Sequence, residues 1–90
     1  MRVIWDPVKA RANLQKHGVH FSDAEGVLLD PLAITLEDPS AAGEHRYISI
    51  GVDFLGQILV VLYTHRESNL RMISARRAMR KERIQYEEGV

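Results

Sequence analysis

The 90-residue sequence has no cysteine. Disulfides, thiolate nucleophiles and thiolate-bound metals are thereby excluded, and the chain suits a reducing compartment, with the cytoplasm as the default location. It has no apolar run of transmembrane length, and Met1-Arg2-Val3-Ile4-Trp5-Asp6 lacks the long apolar stretch of a secretion signal. No membrane association is expected. It has no excess of charge, because twelve Lys and Arg balance twelve Asp and Glu. A neutral sum ordinarily argues against a nucleic-acid partner. Gly-rich phosphate loops, nucleophile elbows and kinase signatures are all missing. Of the four histidines, only His17 and His20 are close in sequence, and they span an expected helix end. No metal site and no cofactor are expected.

What is present describes an ordinary folded domain. Hydrophobic residues make up 46% of the chain and charged residues 27%, too apolar for disorder and long enough for one core, so residues 1–90 are read as a single domain. Asp6-Pro7 is a helix start and Gly18 a helix stop, predicting a helix over residues 7–17. Ser22-Asp23-Ala24-Glu25 reads as a capping box, predicting a second helix to about residue 29, stopped by Asp30-Pro31. Strand-like runs follow at 32–37, 45–52, 57–65 and 70–74, then a C-terminal helix. In the second run Arg46, Ile48, Ile50 and Val52 are expected to pack, leaving Tyr47, Ser49, Gly51 and Asp53 wet. The third, apolar on both faces, is expected to be central. The fold class is α+β: two helices, a four-stranded antiparallel sheet with a short N-terminal strand as an optional fifth, and a closing helix.

The charges are segregated. Residues 22–45 hold six acids and no Lys or Arg, whereas residues 70–83 hold six basic residues against Glu82. In RMISARRAMRKERIQYEE, residues 71–88, Ser74 is the expected N-cap of the last helix. Arg76 and Arg77 would then lie in its first turn and Glu87 and Glu88 in its last. That order opposes the helix dipole, at a cost of roughly 0.3–1 kcal/mol per end. On this reading the helix gives up stability for an anion site, and removing Arg76 would leave stability nearly unchanged. Arginine suits phosphate because its planar fork donates two parallel hydrogen bonds. The competing reading is a solvated helix face. Trp5 is read as core. Tyr86, near the basic helix, stays open between core and base stacking.

Three stretches, WDPVKARANLQKHGVHFSDAEGVLLDP, GEHRYISIG and RMISARRAMRKERIQYEE, together resemble the BrnT family of bacterial type II toxin–antitoxin toxins, in order and over nearly the whole chain. The resemblance implies a ribonuclease toxin of RelE-like fold. Its implied partner is a BrnA-like ribbon-helix-helix antitoxin, in a 2:2 complex that reaches operator DNA only through the antitoxin. The family pattern matches Lys16, His17, Glu44, Arg46, Arg71, Ser74, Arg76, Glu82 and Tyr86. From these we expect metal-independent RNA cleavage by the substrate's own 2′-hydroxyl. Arg46, Arg71 and Arg76 would stabilise charge and His17 and Glu44 would move protons, while Lys16, Ser74, Arg77, Arg80 and Tyr86 would contact RNA. Glu82 is expected to orient an arginine. A non-catalytic RNA-binding or protein-interaction module using the same basic junction is the alternative.

Overall fold

A computed structural model describes residues 2–39 and 43–89; within the loop between the second and third strands, Ser40, Ala41 and Ala42 lie outside the described residues. The elements run β1 (Val3–Ile4), α1 (Pro7–His17), α2 (Phe21–Leu28), β2 (Ile34–Glu37), β3 (Arg46–Val52), β4 (Ile58–Arg66), β5 (Asn69–Arg77) and α3 (Arg80–Glu88). The strands form one five-stranded sheet in the order β1-β5-β4-β3-β2. β2 to β5 are antiparallel neighbours, as expected. The N-terminal strand is a full member and pairs parallel to β5, so the sheet is mixed.

α1 keeps its predicted bounds because every signal for it is local. Asp6 accepts the Val8 N–H at 2.8 Å, Pro7 opens the first turn, and Gly18 closes it in the left-handed region at φ 69°. α2 starts one residue before the expected cap: His20 is the N-cap, so Ser22 lies inside the helix and the capping box does not form. The apolar β4 is the central strand. Its Leu59, Val61 and Tyr63 join Val19, Phe21, Ala24, Val27, Met72 and Ala75 in the core beneath α1 and α2. Trp5 packs against this core, edge-on to Phe21 at 5.8 Å.

The face of β3 expected to be wet lies under α2 instead. Ser49 and Asp53 are buried. Ser49 Oγ is 2.8 Å from Thr35 Oγ1 and donates to Tyr63 Oη at 3.1 Å, so burial leaves no polar group unmet. Gly51 has no side chain because Asp30, Ala33 and Val27 occupy the space above it; an added Cβ would sit 2.9 Å from Asp30 Oδ2. The opposite face of β3 also packs: Ile48 and Ile50, with Ile58, Val60 and Ala78, lie under Tyr86 of α3.

The last strand departs most from expectation. β5 continues to Arg77, and α3 begins at Arg80 with Met79 as its N-cap, so Ser74, Arg76 and Arg77 are strand residues. Long-range pairing overrides the local cap. β4 supplies partners as far as Leu59↔Arg77, and the Asn13 side chain takes the other edge of Ala75, accepting its N–H at 3.0 Å and donating to its carbonyl at 2.9 Å. Asn13 thus behaves as one residue of a further strand, and it also donates to Val19 O at 3.0 Å.

Candidate nucleic-acid interface

A one-residue bulge in β5 builds the site. Tyr63 pairs with Met72 but Leu62 pairs with Ser74, so Ile73 is extra. Strict alternation from Arg71 would send Arg76 to the opposite face, whereas the bulge resets the phase. Met72 and Ala75 both enter the core, while Arg71, Ser74 and Arg76 share the other face. The cross-strand register then gives three rows on that face: Arg46, Thr64 and Arg71; Ile48, Leu62 and Ser74; Ile50, Val60 and Arg76. Two strand spacings, about 10 Å, separate the backbones of Arg46 and Arg71, with Thr64 between them. Thr64 is buried and donates to His45 O at 2.6 Å.

The two arginines of the first row are poorly compensated. Both are half-buried. Arg71 has no ion pair or side-chain hydrogen bond among the described residues. Arg46 Nε is closed off from solvent with no hydrogen-bond partner, and its nearest carboxylate oxygen, Glu44 Oε1, is 3.8 Å away. A buried donor without an acceptor costs free energy, which here applies to Arg46 Nε, and an anion accepting from it would remove that cost.

Arg76 is bound differently. Its two terminal nitrogens donate to Glu82 Oε1 and Oε2, each at 2.9 Å, and Glu82 also accepts the Met79 N–H at 2.8 Å. The side chains are 37% and 18% exposed. The hydrogen bond raises the Arg76 pKa, against partial desolvation, and Arg76 brings Glu82 below the usual carboxylate range. Glu82 does orient an arginine, but in doing so it ties β5 to α3. The expectation that Arg76 opposes a helix dipole is therefore corrected. Arg80 and Lys81 occupy the first turn with Glu82, and Glu87 and Glu88 the last, so the reversed charge order survives in weakened form.

The remaining expected residues divide into separate places. Glu44 lines a depression with Glu37, Asp38, Pro39, Gly43 and His45. His17 and Lys16 line another, of about 200 Å³, with Lys9, Ala12, Asn13, Ile73 and Ser74. The two share no residue, so the structure does not bring His17 and Glu44 together. Arg77 points to the opposite face from Arg76, donating to Gln57 Oε1 at 3.0 Å, and Arg80 is exposed on α3. Tyr86 is half-buried, and its hydroxyl donates to Asp30 Oδ2 at 2.6 Å. That bond, with desolvation, pushes the tyrosine pKa up to about 12. Burial raises the Asp30 pKa, but Tyr86 and the Val52 and Leu32 N–H groups outweigh it and leave the carboxyl below its usual value. Sequence reading missed Thr64, Asn13 and this Asp30 hub. Only the polar residues at Asn13 and Thr64, inside otherwise ordinary elements, could have signalled them.

One sheet face of this α+β protein gathers three arginines, Arg76 paired with Glu82, Arg46 3.8 Å from Glu44 and Arg71 without an ion pair among the described residues, and planar guanidiniums of this kind can donate paired hydrogen bonds to a phosphodiester. Residues 5–82 match the family described as the ribonuclease toxin, BrnT, of type II toxin–antitoxin systems. A crystal structure of the ribonuclease toxin BrnT from Brucella abortus is 32% identical, with a TM-score of 0.67 over 89% of this chain and 99% of that one. No curated protein sequence matches. The chain belongs to the BrnT family of ribonuclease toxins. Membership implies an RNA target and an antitoxin partner.

Proposed function

We propose that this protein is an endoribonuclease toxin in which Arg46 and Arg71 hold the scissile phosphate. The observation that carries the proposal is the row of two half-buried arginines flanking Thr64, one with a buried, unpartnered Nε and the other with no acid partner among the described residues. In the reaction the RNA 2′-oxygen attacks the adjacent phosphorus and the bond to the 5′-oxygen breaks, leaving a 2′,3′-cyclic phosphate and a 5′-hydroxyl. One proton leaves the 2′-hydroxyl and one reaches the departing oxygen. The nucleophile belongs to the substrate, so the residues need only hold charge and move a proton, and no metal takes part. Glu44, beside Arg46, accepts the 2′ proton, and solvent supplies the other. His17, in a depression separate from that of Glu44, contacts the RNA with Lys16 and Ser74. Arg76 positions α3 and adds positive potential, Arg80 and the edge of Tyr86 are peripheral contacts, and Arg77, turned to the opposite face toward Gln57, takes no part in holding the phosphate.

The fold is read as RelE-like and the setting as cytoplasmic. A ribbon-helix-helix antitoxin in a two-plus-two complex covers the arginine face and carries any operator binding. Competition for that face follows from its charge: it attracts either RNA phosphates or a partner's carboxylates. The test is cleavage of a ribo-oligonucleotide in EDTA, beside one carrying 2′-deoxyribose at the scissile position. The first is cut to a cyclic phosphate and the second resists. Cleavage that needs a divalent ion, or that proceeds on the deoxy substrate, contradicts the mechanism. RNA binding without cleavage would favour the non-catalytic module.

A further inference from the structure

α1 carries Lys9, Arg11, Lys16 and His17 and no acid. Lys9, Asn13, Lys16 and His17 recur at helical spacing, so they share the face turned toward β5. Asn13 fixes that face against Ala75, while Lys9 and Lys16, both exposed, have no ion pair among the described residues. Seven residues of helix put the two lysine backbones about 10 Å apart along the axis. Both line one depression with Ile73 and Ser74, and Ser74 shares its sheet face with Arg71. α1 covers the core face and the arginine row lies on the other, so positive charge continues from the Arg46–Arg71 row past Ser74 and round the edge of β5 that β1 leaves open to α1.

We infer that α1 and the β5 bulge form an extended track for single-stranded RNA. Lys9 and Lys16 bind successive stretches of backbone beyond the scissile phosphate, so the substrate class is a chain of several nucleotides rather than a dinucleotide. This rests on the ribonuclease reading above. RNA is the occupant the charges favour: Lys9 and Lys16 have no ion pair among the described residues and lie on one face of α1, where phosphates of a single strand can meet them. Ala12 and Ile73 complete the lining, and Val8 and Leu14 are also exposed on α1.

The test measures cleavage of a length series of RNA oligonucleotides, from dinucleotide upward, by the wild-type chain and the Lys9→Gln and Lys9→Glu variants. Lys9 is exposed, so both variants fold. For wild type, KM falls as the substrate lengthens. Lys9→Gln raises KM on long RNA several-fold and Lys9→Glu raises it further, and the ratio of variant to wild-type KM shrinks as the substrate shortens. The slope of log affinity against log salt falls by about 0.7 for the one lost phosphate contact. Identical KM and salt slopes on long RNA overturn the inference while leaving the ribonuclease reading intact. A wild-type chain that cuts no RNA of any length removes the ribonuclease reading itself. A variant that cuts long RNA with wild-type KM but loses affinity for the antitoxin assigns this helix face to the protein partner instead.

Discussion

Single residues in this protein hold what neighbouring residues leave open. Asn13 closes the free edge of β5 with one side chain. Asn13→Ala would strand the buried N–H and carbonyl of Ala75, and we expect a loss of about 2–4 kcal/mol in a denaturant melt. Arg76 was legible as a basic residue near a helix start, but not as a partner of Glu82, because the sequence places it in the helix that it in fact anchors. Its bidentate pair is half-exposed, so Arg76→Ala is expected to cost about 1–2 kcal/mol in stability, and Glu82→Gln less. A melt unchanged by Arg76→Ala would show that the pair holds nothing. Arg71 differs: among the described residues its side chain has no ion pair or hydrogen bond to lose, so Arg71→Ala should leave the melting temperature unchanged or raise it.

At the scale of elements, legibility followed the range of the deciding interactions. α1 was readable from Asp6, Pro7 and Gly18, which act within a turn of where they stand. The end of β5 was not, since β4 and Asn13 set it from outside. The bulge at Ile73 leaves no mark in composition, yet it alone places Arg76 and Arg71 on one face. The buried face of β3 was misread because Ser49 and Asp53 are polar, and their partners come from other strands and a turn. α3 has no fully buried residue and is anchored at each end, by Glu82 to Arg76 and by Tyr86 to Asp30. Both acids have lowered pKa values, so the unfolded chain binds more protons in acid. Their contribution is complete above the ordinary carboxylate range and is lost as pH falls through their lowered values. Tyr86 runs the other way: its contribution is complete below its ordinary pKa of 10.0 and is lost as pH rises toward about 12. The protection of α3 amides, their exchange relative to the intrinsic rate at each pH, should therefore fall at both extremes, and Tyr86→Phe should remove the alkaline fall. Protection of α3 that stays constant across pH in the wild type would contradict the two-anchor account.

For the whole molecule, a zero net charge conceals a cationic sheet face and α1 on one side of the balance and an acidic stretch on the other. An uncontrolled ribonuclease harms the cell that makes it, so expression of the chain alone is expected to arrest growth, and co-expression with its antitoxin to relieve the arrest. Harmless expression of a folded chain would count against the toxin activity. The central claim is that Arg46 and Arg71 together hold the scissile phosphate, and single-turnover cleavage of one RNA by wild type and Arg71→Ala, in EDTA and with melts recorded on the same preparations, tests it most directly. The account predicts a fall of at least ~100-fold in the cleavage rate, the size expected for losing one charge-stabilising donor, with the fold intact. An Arg71→Ala protein that melts like wild type and cuts at the wild-type rate would contradict it.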